Sequence, residues 1–102
     1  MVIQLTKRVV VPPHVLIRYL DGESVLLNLE TERYFGLDAT GTRMWELVTS
    51  QSSTQLAYEK LLEEFEVESE ALRKHLTELL SGLVDNGLLQ VLPADVGITP
   101  AI

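Results

Sequence analysis

Residues 25–48 read VLLNLETERYFGLDATGTRMWELV, and this stretch decides the fold. Two short apolar runs flank a polar break, and an amphipathic segment opened by Asp38 follows at once. Such a pattern predicts a hairpin that feeds a helix. The second strand, residues 33–37, then lies at the edge of a sheet. There its outward amides and carbonyls form a template for an extended peptide.

Towards the N-terminus, HVLIRYL (14–20) precedes Asp21-Gly22. Asp-Gly between apolar runs predicts a tight hairpin, because a type I′ turn needs positive φ at both central positions. This two-residue loop sets Leu16 opposite Leu27 and Arg18 opposite Val25. For the next connection, Glu30-Thr31-Glu32, a three-residue loop sets Leu27 opposite Phe35 and Val25 opposite Leu37. The inner sheet face then collects Leu16, Val25, Leu27, Phe35 and Leu37, and Glu32 takes the left-handed position that closes the loop. The outer face carries Val15, Ile17, Tyr19, Leu26 and Tyr34. It is apolar for a solvated surface, so either the N-terminal arm or another protein is expected to cover it.

Towards the C-terminus, Asp38 caps a helix to about Val48, with Met44, Trp45 and Val48 as its buried stripe. Ser52 and Gln55 have capping-box spacing for a second helix through about Phe65. Leu56, Leu61, Leu62 and Phe65 supply its apolar side. Ser69 is expected to cap a third helix that closes at Asn86-Gly87, with Leu72, Leu76, Leu79, Leu80 and Leu83 at helical spacing. Residues 88–91 add a short wing. The fold class is α+β: a three-stranded antiparallel sheet followed by three helices, arranged like a winged helix-turn-helix. Pro12-Pro13 divides an N-terminal arm (1–13) from the body (14–91), and 92–102 reads as a flexible tail.

The whole chain has 102 residues, 46% of them hydrophobic, which suits one domain with one modest core. No apolar run approaches the ~18 residues of a membrane span, and the basic start has no h-region or cleavage site. A cytoplasmic protein without a membrane role is expected. The absence of cysteine removes disulfides and thiolate chemistry. The net charge of −7 opposes nucleic acid, since phosphate must be met by Lys and Arg. The third helix carries Glu70, Glu78 and Asp85 against Arg73 and Lys74, so a winged-helix regulator of DNA is the weaker reading.

No motif assembles a reaction centre. His14 and His75 are far apart in sequence, and the latter reads as a half-buried structural residue at the border of the apolar stripe. The acids Glu63, Glu64, Glu66, Glu68 and Glu70 lack metal-loop spacing and read as solvated helix surface. Ser24, Ser50, Ser52, Ser53, Ser69 and Ser81 lie in no nucleophile elbow. Gly41 is a lone glycine outside any phosphate-loop pattern. Neither an enzyme nor a cofactor or metal site is expected.

Peptide binding is the sharper reading. The candidate residues are Glu32, Arg33, Tyr34, Phe35 and Gly36 on the edge strand, with Arg73, Leu76, Thr77, Leu80 and Val84 on the third helix as the wall beside it. Pattern alone supports a groove wall and plain core equally for Leu80 and Val84. On the groove reading, Leu80→Asp weakens peptide binding and leaves the domain folded.

The segments LLNLETERYFGLDATGTRMWELV (26–48) and LEEFEVESEALRKHLTELLSGLVDNGLL (62–89) resemble the PqqD-like proteins. These are recognition elements of pathways that modify ribosomally made peptides. The likeness lies in a Leu-Asn-Leu strand, a Tyr-Phe strand, Trp45 on the first helix and Gly87-Leu88 closing the third. The opening VVVPPHVLIRYL (9–20) further resembles the stand-alone recognition proteins of lasso-peptide pathways. The resemblance implies that a precursor's leader peptide is bound as a strand added to residues 33–37, beside the third helix. It implies delivery to a leader peptidase of the transglutaminase-like cysteine protease type, and then to a cyclase, with the catalytic residues on those partners. The family often has Gly where Glu32 stands. A member serving the pyrroloquinoline-quinone pathway and its radical enzyme is the alternative.

Overall fold

The computed structural model describes residues 7–51 and 53–93. Within them the order is β1 (Lys7–Val10), β2 (Val15–Leu20), β3 (Glu23–Asn28), β4 (Arg33–Leu37), α1 (Ala39–Ser50), α2 (Thr54–Glu64), α3 (Ser69–Asp85) and β5 (Gln90–Pro93). The strands β2-β3-β4 form an antiparallel sheet, and three helices follow it, as an α+β fold. The described part of the N-terminal arm, from Lys7, does not lie on this sheet. Its β1 pairs with β5 in a separate ribbon, Val9 opposite Val91, and Thr54 Oγ1 donates to the Lys7 carbonyl. Val9 is buried in the common core. Residues 94–102, the bulk of the expected tail, lie outside the described residues.

The β2–β3 hairpin has the expected register, with Leu16 opposite Leu27 and Arg18 opposite Val25. Asp21 and Gly22 both have positive φ, 52° and 81°, as a type I′ turn demands. The β3–β4 register differs from the expected one by one residue. Leu26 faces Phe35 and Val25 faces Gly36, across a four-residue loop, 29–32. Because side chains alternate, this moves the β3 residues to the opposite face. Val15, Ser24, Leu26, Asn28 and Leu37 point inward and are buried, while Leu16 and Val25 are exposed. Only Phe35 and Leu37 of the expected inner set lie inward. Ile17, expected on the outer face with Val15 and Leu26, is also packed against the core.

The inversion has a physical cause in two polar residues. Ser24 Oγ is 2.8 Å from Thr42 Oγ1 on α1, so its burial carries no unpaired hydroxyl. Asn28, 2% exposed, is the hub of the loop. Its Oδ1 accepts from the amides of Glu30 (2.9 Å) and Thr31 (3.3 Å), and its carbonyl accepts from Glu32 N–H (2.8 Å). Its Nδ2 donates to the Asn86 carbonyl (3.0 Å) at the end of α3. Glu32 does take the left-handed conformation, at φ 61°.

The caps differ in part from the expected ones. Asp38 Oδ1 accepts from Gly41 N–H at 2.8 Å and starts α1. Met44, Trp45, Leu47 and Val48 are buried on that helix. The α2 cap is Ser53, whose Oγ accepts from Leu56 N–H; the expected Ser52 lies outside the described residues. Ser69 does not cap α3: it is the first helical residue, and Glu68 stands before it with no side-chain cap. The Ser69 carbonyl instead accepts from Tyr58 Oη (2.9 Å), tying α3 to α2. On α2 the buried residues are Thr54, Ala57, Tyr58 and Leu61, whereas Leu56 is exposed. The α3 stripe is buried at Leu72, Leu76, Leu80 and Leu83, with Leu79 half-buried.

Arg43 of α1 grips Glu64 of α2 through two hydrogen bonds of 2.7 Å. This bidentate contact holds the Glu64 carboxyl below its ordinary range and raises Arg43. A lowered carboxylate favours the fold above its unfolded pKa and loses that effect as pH falls through the folded one. Both side chains are more than a third exposed, so the contribution is small. We expect Glu64→Gln to lower the melting temperature slightly at pH 7, with the difference fading as pH falls through the lowered pKa of Glu64 and shrinking in 1 M salt. Asn28→Ala orphans two amides and a carbonyl, and should cost about 2 kcal/mol or more in urea unfolding.

Candidate functional site

Strand β4 pairs only with β3; among the described residues no strand meets its other edge. Its ends are tied by side chains, since Arg33 N–H donates to Thr31 Oγ1 and the Leu37 carbonyl accepts from Thr42 Oγ1, each at 3.3 Å. Tyr34, Phe35 and Gly36 lie between. Tyr34 points outward and is exposed, and Phe35 points inward and is half-buried against the core.

Beside this edge lies a cleft of about 610 Å³, lined by His14, Asn28, Glu30, Thr31, Arg33 and Phe35 on the sheet side, and by Asp85, Asn86 and Gly87 at the end of α3. Its floor is rigid because it is the Asn28 hub. His14 Nε2 donates to the Gly87 carbonyl (3.1 Å), and the His14 carbonyl accepts from Leu29 N–H (2.8 Å). Gly87 is left-handed, at φ 73°, and a Cβ there would stand 2.9 Å from Asn28 Nδ2. No other residue suits both the backbone and the space. A second cleft of about 260 Å³ is formed by Thr40, Met44, Phe65, Val67, Ala71, Leu72 and His75. It is mainly apolar in composition.

The two clefts share one flank of α3. His75 lines one and Asn86 the other. Between them Leu79 and Gly82 complete a stripe with spacings of four, three and four, so all four residues lie on one side of the helix. Gly82 is exposed, and a Cβ there would meet nothing within 4 Å. Glycine costs a helix interior up to about 1 kcal/mol relative to alanine, and no contact within the described residues requires it.

The sequence-based candidates divide accordingly. Glu32, Arg33, Tyr34, Phe35 and Gly36 come together along the open edge and its loop. The α3 set does not join them. Leu76 and Leu80 are 0% exposed, so they are core and not a surface wall. Arg73 lies over the Tyr58 ring, 5.6 Å from its centroid, on the side of α3 that faces α2. Thr77 returns its hydroxyl to the Arg73 carbonyl (2.9 Å), and Val84 is half-buried against the core. The flank towards β4 is the opposite one. His75, read as a half-buried structural residue, is exposed at a cleft. The mid-helix glycine was the one signal in the sequence for this flank.

A family model described as Coenzyme PQQ synthesis protein D (PqqD) matches residues 23–89. The chain therefore belongs to the PqqD family. No curated protein matches it. Among solved structures it is similar to TbiB1 in complex with the TbiA(beta) leader peptide, at 30% identity and a TM-score of 0.71, over 78% of this chain and 93% of that one. It also shares the fold of lasso peptide synthetase B1 complexed with the leader peptide, at 21% identity and a TM-score of 0.68, over 81% and 98% of the two chains.

Leu80→Asp places a carboxylate where no solvent reaches. Contrary to the groove reading, we expect this variant to unfold, with loss of the cooperative melt in circular dichroism.

Proposed function

We propose that this protein is a non-catalytic recognition element that binds the leader of a ribosomal precursor peptide as a strand added to β4. It presents the bound precursor to a leader peptidase of the transglutaminase-like cysteine protease type, and then to a cyclase, in lasso-peptide biosynthesis. The observation that carries this reading is the open edge of β4 beside two clefts of α3, in a chain similar to one solved with a leader peptide. The lasso pathway is favoured over the pyrroloquinoline-quinone pathway by the resemblance of residues 9–20.

Backbone groups of residues 32–36 give the register of binding, and they are indifferent to the leader's side chains. Selectivity comes from the side chains that the added strand turns inward, towards Phe35, Leu79 and the two clefts. A disordered leader must be ordered on binding, at a cost of several kcal/mol. A preformed edge keeps the protein's own share of that cost low. Binding is assigned to residues 14–91, with the β1–β5 ribbon bracing the core behind them. The chain needs no cofactor for this work. No helix among the described residues is long and apolar enough to cross a membrane, and the reading places the protein in the cytoplasm, where precursors are made.

The test is Gly82→Leu, titrated with the leader peptide of a lasso precursor from its own genome. Leucine favours the helix and its Cβ enters open space, so the melting temperature should hold or rise. Leader affinity should fall tenfold or more, because the new side chain stands on the α3 flank between the two clefts, in the path of the added strand. Undiminished affinity in the folded variant would remove the α3 flank from the site. A wild-type chain that binds no leader would overturn the reading itself.

A further inference from the structure

Gly36 stands inside the edge strand, between Phe35 and Leu37. A glycine weakens a strand interior, because it brings no side chain to pack and loses the most backbone freedom. Within the described residues nothing requires it. Its φ is not left-handed. The ladder runs through it without a bulge, Leu26 opposite Phe35, Val25 opposite Gly36 and Ser24 opposite Leu37. A Cβ there would meet nothing within 4 Å. The remaining reason for a strand glycine is a group from outside that lies close against its backbone.

Alternation places Gly36 on the sheet face turned away from the helices, in one row with Val25. Tyr34, 74% exposed, borders the gap on one side. On the other a cleft of about 330 Å³ opens, with Leu20, Glu23 and Val25 in its lining. The gap is a trough as wide as one strand, closed at its far end by Val25 and open at the free edge of β4. From this we infer that Gly36 seats an aromatic side chain of the leader, laid across β4 from the residue of the added strand that faces it. The inference rests on the proposed leader binding and adds a specificity-determining residue to it. The trough is continuous with the edge that the leader occupies, which selects the leader as its occupant. Reach selects an aromatic residue. Strands lie about 4.8 Å apart, so the side chain must cross the width of β4 before it touches Val25. A ring spans that distance, and it gains Tyr34 as a neighbour on the same face. A ring over an edge glycine also covers bare main chain and restores the packing that the glycine lacks. The strand period then fixes the pattern of the leader. The two neighbours of the aromatic residue turn inward, towards Phe35, Leu37 and the α3 flank. The leader is thus read on both faces of the added strand.

The experiment is NMR of the isotope-labelled chain with the leader peptide of a lasso precursor from its own genome, and with forms of that leader in which each aromatic residue is replaced in turn by alanine. Bound leader should move the Gly36 Hα and Val25 methyl resonances upfield, through the ring current. One alanine form should abolish those shifts and bind about tenfold more weakly. Gly36→Leu fills the trough with the chain's own side chain. Its Cβ enters open space, so the melting temperature should hold or rise. This variant should bind the native leader about tenfold more weakly than the wild type and should barely distinguish it from the alanine form. Bound leader that leaves Gly36 and Val25 without upfield shifts overturns the inference and leaves the trough to another protein. So does a folded Gly36→Leu chain of undiminished affinity, or tight binding of a leader without any aromatic residue. Failure of the wild type to bind leader overturns the functional reading and this inference with it.

Discussion

One buried amide sets the geometry on which the site depends. Asn28 uses its oxygen to gather the β3–β4 loop and its nitrogen to hold the last turn of α3. These contacts fix how far β4 stands from α3. Gly87 lets the helix end approach that closely, and His14 locks the same carbonyl run from the other side. An apolar residue in place of Asn28 could fill the volume, but it would leave two loop amides without their acceptor and the Asn86 carbonyl without its donor. The edge of β4 and the cleft beside it are therefore one rigid unit, built by side-chain hydrogen bonds across a long sequence separation.

This explains which parts of the fold were legible in the sequence. Local chemistry was: Asp21-Gly22 as a type I′ turn, Asp38 as a cap, Trp45 on a buried stripe and Gly87 as a left-handed stop each depend on a few neighbouring residues. The face of β3 was not. In SVLLN the apolar residues fall on both faces, and the choice is made by Ser24 and Asn28, whose burial is tolerable only because Thr42 and Asn86 receive them. Those partners lie 18 and 58 residues away. A rule that turns the most apolar set inward picks the wrong face whenever polar residues have such partners. It places Val25 inside, where the structure exposes it.

The wall of the site was half legible for a related reason. Helical periodicity locates the core stripe of α3, and it leaves two flanks of similar standing. Arg73 and Val84 mark one, His75 and Gly82 the other. Which flank looks towards β4 depends on how α2 packs, and Tyr58 settles it by holding the Ser69 carbonyl and lying under Arg73. The free edge at residues 33–37 was legible because strand order along the chain already implies it.

An open edge and a bare apolar face are liabilities in a globular domain, and proteins ordinarily blunt both. Here β4 carries neither proline nor lysine, and its one glycine opens the outer face further. The left-handed Glu32 adds strain at the loop that leads into it, of the order of 1 kcal/mol relative to a glycine. Stability alone would remove each of these features. Their concentration on one strand suits a chain whose task is to be completed, since an extended peptide would close the edge. The first two helices, by contrast, start at ordinary side-chain caps, Asp38 and Ser53. The departures on β4 lie where a partner would make them good.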